Sequence, residues 1–76
     1  MNTLPLLSSE IHGEGDVSII LMHGLLGSSR NWRSVAKELA HDFTLHCLDL
    51  RNHGTSFHDE DASITSMTGD LLRYID

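Results

Sequence analysis

With 76 residues, the chain holds at most one small domain, close to the size below which a hydrophobic core struggles to sustain itself. A content of 39% hydrophobic and 21% charged residues, with six Gly and one Pro, is that of an ordered globular protein and argues against disorder. Five basic against eleven acidic residues leave a formal charge of −6, which speaks against a nucleic-acid or anionic-membrane partner. The lone Cys47 excludes an internal disulfide and, within an apolar stretch, is expected as a packed, inert thiol. Residues Met1 to Leu7 lack a basic segment and a long apolar run, so no signal peptide is read there, and no stretch approaches the ~20 apolar residues of a membrane span. The expected location is cytoplasmic.

Taken in chain order, Leu4 to His12 is moderately apolar and ends at Gly13-Glu14-Gly15-Asp16, which predicts a short strand or hairpin. Val17 to Met22 is a nearly continuous β-branched and apolar run, the pattern of a strand buried on both faces of a parallel sheet. His23 to Arg30, with two Gly and two Ser, predicts a loop. The period then changes. Trp32, Val35, Ala36, Leu39 and Ala40 fall on one helical stripe, with Asn31 placed to cap it and Lys37 and His41 suited to its carboxyl end. Phe43 to Leu50 returns to strand character, and Arg51 to Asp61 is a polar, exposed loop. Ile64, Met67, Leu71, Tyr74 and Ile75 space out as a second amphipathic helix capped by Ser63 or Thr65, a reading that Gly69 weakens. Strand, helix, strand, helix in this order means an α/β fold with a parallel sheet.

In such sheets ligands meet the loops at the carboxyl ends of the strands. The first of these, His23-Gly24-Leu25-Leu26-Gly27-Ser28, has Gly24 to let the backbone bend sharply and Gly27 to let loop and helix approach. A bend of that kind either leaves a backbone N–H facing open space, able to stabilise an acyl-transfer oxyanion, or is a plain strand-to-helix turn. The second loop is Asp49-Leu50-Arg51-Asn52-His53-Gly54-Thr55-Ser56, where an internal Asp49–Arg51 ion pair bracing the loops is the better expectation than catalysis. Ser28, Ser29, Asp49 and His53 have the residue types of a triad, but neither Ser sits on a strained elbow, so a triad among them is rejected.

Together, a strand ending in His23-Gly24-x-x-Gly27-Ser28, a helix with Trp32, and a strand ending in Asp49-x-Arg51-x-x-Gly54-x-Ser56 resemble the α/β-hydrolase superfamily. The Arg51-Asn52-His53-Gly54 wording is most similar to the small bacterial esterases of the YbfF type. The likeness spans Ile11 to Asp76 and implies that residues 1–76 are the N-terminal third of a hydrolase domain, stopping before the nucleophile elbow. No G-x-S-x-G occurs in the chain, so the triad is expected elsewhere and the chain alone is expected to be inactive. The resemblance also implies that the Leu25 N–H is an oxyanion donor, that His23 and Gly24 shape its turn, and that Leu26 faces the acyl pocket. Short acyl esters or thioesters are the implied substrates, with no metal or organic cofactor. The implied strand order 1-2-4-3 leaves Val17 to Met22 at an open edge, where the isolated chain could self-associate.

Two other classes share parts of this pattern. A nucleotide-binding βαβ module would use a strand, a Gly-containing loop and an acidic residue such as Asp49, but the loop lacks G-x-G-x-x-G and carries two bulky leucines. A non-catalytic binding protein on the same fold is the other alternative. The histidines at 12, 23, 41, 46, 53 and 58 have no zinc-type spacing, so individually satisfied side chains are expected of them.

Overall fold

The computed structural model describes residues 4–76; Met1, Asn2 and Thr3, the first part of the Met1–Leu7 stretch read for a signal peptide, lie outside the described residues. The elements run β1 (Ser9–His12), β2 (Val17–Met22), a 3-10 turn (Ser29–Trp32), α1 (Arg33–Leu39), β3 (Phe43–Leu48) and α2 (Ile64–Ile75). The three strands form one mixed sheet in the order β1-β3-β2. β2 pairs with β3 in parallel, Leu21 opposite Cys47, while β1 is antiparallel to β3, Ile11 opposite His46. The segment from Leu4 to His12 therefore supplies one short strand and no hairpin among the described residues. Its ladder extends by one bond, from the Asp49 N–H to the Ser8 carbonyl at 2.9 Å.

The period-two alternation of the strands sends Ile19, Leu21, Phe43, Leu45 and Cys47 toward α1, where they pack with Ala36, Trp32, Leu39 and Ala40. Ala36, Leu45 and Cys47 are fully buried in this layer. Cys47 is thus the packed thiol its surroundings suggested, and burial raises its pKa away from the reactive range. Val35, counted in the helical stripe, is instead exposed, because it lies beside the line of Trp32, Ala36 and Leu39 that meets the sheet.

Three local expectations are corrected. Val17 to Met22 is not buried on both faces: Val17, Ser18 and Met22 are exposed and the residues between are half-buried, since β2 is the edge strand of the sheet. Asn31 is not the cap of a regular helix. The chain first makes the 3-10 turn, whose cap is Ser28; the Arg30 N–H donates to Ser28 Oγ and the Ser28 N–H to Asn31 Oδ1, a reciprocal box that Asn31 closes from inside. β3 ends at Leu48 rather than Leu50: Asp49 adds one last bond to β1, and Leu50 turns its amide away from the sheet to His23.

α2 is capped by Ser63, whose Oγ accepts from the Ser66 N–H at 3.2 Å, and it passes through Gly69 without a break. Met67, Leu71 and Tyr74 are half-buried, while Ile64 and Ile75 are exposed, so its apolar stripe is only partly covered. Polar tethers hold it instead. Arg73 donates to the carbonyls of Leu4 and Pro5, and the Tyr74 hydroxyl meets His46 Nδ1 at 2.8 Å. On the other side of the sheet Glu10 takes a two-point bond from Arg33 of α1, which with His12 brings its pKa to about 2. No helix among the described residues is long and apolar enough to cross a membrane.

Candidate active site

Both loops at the carboxyl end of the parallel pair begin with the same backbone device. After β2, Gly24 to Gly27 form a tight turn closed by the Gly27 N–H on the Gly24 carbonyl at 3.0 Å, and its third residue, Leu26, has φ of 66°. After β3, Leu50 to His53 form a turn closed by the His53 N–H on the Leu50 carbonyl at 3.0 Å, and its third residue, Asn52, also has φ of 66°. A left-handed third residue is what a type II turn requires.

The sequence placed the bending freedom on Gly24, and the structure moves it. Gly24 has no left-handed φ, and a Cβ built on it would meet no atom within 4 Å. Gly27 does serve a close approach, since a Cβ there would come within 2.5 Å of Asn31 Oδ1. Gly54 is needed more strictly: its φ is +50° and a Cβ would run into the Asp49 carboxylate.

Two histidines clasp the loops to each other. His23, buried at the end of β2, accepts the Leu50 N–H on Nε2 at 3.0 Å. Nδ1 must then carry the proton, which it donates to the Gly24 carbonyl at 2.6 Å. His53 answers from the second loop: its Nε2 accepts the Leu26 N–H at 3.1 Å and its Nδ1 donates to the Arg51 carbonyl at 2.8 Å. The two rings lie 4.8 Å apart, tilted by 52°.

The Gly24 carbonyl consequently receives two donors, His23 Nδ1–H and the Gly27 N–H. A trans peptide is planar, with its N–H opposite its C=O, so fixing that carbonyl fixes the Leu25 N–H on the other side. The Leu25 N–H has no hydrogen-bond partner among the described residues. His23, Gly24, Leu25, Gly27, Asn31 and Trp32 line an open pocket of about 310 Å³ at this point. The residues Leu25 and Leu26 are 86% and 90% exposed, so both side chains stand largely open to solvent.

Asp49 and Arg51 do brace the loops, but not as a pair with each other. Asp49 accepts the Ser29 N–H at 2.6 Å and both the N–H and hydroxyl of Thr55 at 3.1 Å, tying the first loop to the second. Burial pushes its pKa up, and the bonds from Ser29 and Thr55 more than reverse this, leaving it below the usual carboxylate range. Ser56 adds its hydroxyl to the Asp49 carbonyl and accepts the Ser8 N–H. Arg51 reaches the other way, with a two-point bond at 2.6 and 2.8 Å to Asp70 of α2 and a third, at 2.5 Å, to the Asp61 carbonyl. Both Arg51 and Asp70 are 3% exposed. Asp70 was not singled out from the sequence; its only signal was a carboxylate on the apolar side of a helix.

Ser28, Ser29, Asp49 and His53 form no triad. Ser28 Oγ serves as a cap, Asp49 holds a backbone amide of Ser29, and the acceptor nitrogen of His53 is taken by Leu26. Of the remaining histidines, His12 meets Glu10 and His46 meets Tyr74. Among the described residues no three His, Cys, Asp or Glu side chains are grouped so as to hold a metal ion.

Comparison with known proteins agrees with this architecture. Residues 17–76 match the family described as alpha/beta hydrolase fold. The chain is 38% identical over 74 residues to the sn-1-specific diacylglycerol lipase ABHD11 of Mus musculus, covering 93% of this chain and 24% of that protein. It is 38% identical over 58 residues to the esterase YbfF of Escherichia coli strain K12, covering 76% of this chain and 23% of that protein. The solved structure of a marine microorganism esterase superposes with a TM-score of 0.85 at 44% identity, covering 96% of this chain and 28% of that one. The chain thus spans about a quarter of the length of these relatives, and the nucleotide-binding alternative gives way. A parallel β2–α1–β3 unit with a clasped turn beyond β2, matched by esterases and a lipase along nearly all of its length, belongs to the α/β-hydrolase family.

Proposed function

We propose that the complete protein carrying this chain is a carboxylic-ester hydrolase that works through an acyl-enzyme, and that the Leu25 N–H is one donor of its oxyanion hole. The unpartnered Leu25 N–H, held opposite a doubly bonded Gly24 carbonyl at the edge of an open pocket, is the observation that carries this reading. A fixed donor of this kind stabilises charge as it develops on the reacting carbonyl without reorganising during the reaction. The esterase and lipase relatives support an ester as the substrate, and within that class our reading is a small acyl ester or thioester. In this reading His23 orients the turn, Gly24 leaves the space beside the donor open, and Leu26 presents its exposed side chain to the acyl group. The nucleophile, its base and the acid come from outside these 76 residues, which contain no G-x-S-x-G, so the chain alone gives background hydrolysis. The open edge of β2 is part of the same reading, as the site of pairing with another strand or a second copy of the isolated chain.

The test exploits the turn itself. Leu25 is its second residue, the position at which proline fits best, so Leu25→Pro deletes the N–H while preserving the bend. In the complete protein, kcat for p-nitrophenyl acetate should fall about 10²- to 10³-fold, with KM and melting temperature little changed. Unchanged turnover in a folded Leu25→Pro variant would remove the proposed role.

A further inference from the structure

The geometry points to His53 as a positioning residue for the oxyanion turn, acting through the Leu26 amide and not on the substrate. Its catalytic consequence rests on the hydrolase reading above; its structural part does not. Leu26 occupies the left-handed region with a branched side chain that is 90% exposed, so neither intrinsic preference nor packing holds it there. Apart from the closing bond of the turn, the constraint on this residue is the bond from its N–H to His53 Nε2. Fixing that N–H fixes the plane of the Leu25–Leu26 peptide, as His23 fixes the plane of the Gly24–Leu25 peptide. The Leu25 amide is then bounded on both sides.

The clasp is itself anchored. The Nδ1–H of His53 donates to the Arg51 carbonyl, which commits Nε2 to act as acceptor. The Arg51 guanidinium is held by Asp70 and the Asp61 carbonyl. A line of hydrogen-bonded groups therefore runs from α2 through Arg51 and His53 to the turn. His53 is not placed to act as a catalytic base, because its one acceptor nitrogen is already used.

Two substitutions in the complete protein test this. His53→Leu removes the acceptor at similar volume, whereas His53→Gln offers a carbonyl oxygen close to where Nε2 sits. For His53→Leu, exchange of the Leu26 amide should accelerate and kcat for p-nitrophenyl acetate should fall roughly ten- to a hundredfold, with KM within about twofold. His53→Gln should restore most of both. Protection of the Leu45 and Cys47 amides in β3 serves as the control for folding; if His53→Leu loses it, His53→Gln alone decides, and a folded Gln variant as slow as Leu overturns the proposal. So does a folded His53→Leu variant with unchanged Leu26 exchange or unchanged kcat. Should the unsubstituted protein hydrolyse no ester at all, the hydrolase reading fails, while the exchange of the Leu26 amide still decides whether His53 positions the turn.

Discussion

The turns after β2 and β3 share a closing bond of 3.0 Å and a third residue at φ of 66°, yet they are specified in opposite ways. In the second turn the left-handed residue is Asn52, a type that tolerates this region, and its Oδ1 accepts the Asp59 N–H at 2.7 Å. Its amide donates to the Phe57 carbonyl at 2.8 Å, so the loop folds upon itself. In the first turn the same conformation falls on Leu26, a residue with about 1–2 kcal/mol of intrinsic cost there. Its restraint is borrowed from His53, 27 residues later. The locally encoded turn is the brace, and the strained one presents the free amide. Strain of this kind persists where surrounding structure over-determines it, which is the usual condition of a functional site.

The comparison can be broken most severely at Asp70. Both Arg51 and Asp70 are buried, so Asp70→Ala removes the two-point carboxylate partner of a buried guanidinium, leaving it the Asp61 carbonyl and the Asp59 carboxylate at 3.7 Å, and should cost about 3 kcal/mol, read as a lower urea midpoint. If the second turn is the brace, amides of the first turn should lose protection in this variant before those of β3. A smaller effect comes from exchanging the residue types at the two left-handed positions. Asn52→Leu should destabilise by about 1–2 kcal/mol, while Leu26→Gly should stabilise by up to about 1 kcal/mol, because it removes the left-handed cost. Equal responses at the two sites in thermal melts would contradict the asymmetry.

The least effect at neutral pH concerns the acid limb of stability. Asp49 has a folded pKa below its unfolded value, so its contribution is complete above the free carboxylate value of about 3.9 and is lost as pH falls through the folded one. Glu10, held by Arg33 and His12, follows the same sign down to about 2. The melting temperature should therefore decline below about pH 4, and Asp49→Asn should flatten that decline. A melting temperature that rises on acidification in this range would reverse the assigned sign.

By itself the amino-acid sequence determined the order of elements, the parallel β2–β3 pair and the packed Cys47, and narrowed the α2 cap to Ser63 or Thr65, because each follows from local periodicity or composition. It also marked the turn after Met22 and the loop after Leu48 as the places for chemistry, since Gly, Ser and polar residues cluster where strands end. Only the tertiary structure decided that Gly24 is not the bent residue, that Leu26 is, and that Asp49 and Arg51 turn away from each other to Ser29 and Asp70. These outcomes depend on partners 19 to 27 residues distant, and no local preference of Leu26, Arg51 or His53 announces which of them will meet. The apolar run of Val17 to Met22 carries the same lesson, for a strand's sequence fits it to be covered, while its neighbours in space decide whether it is.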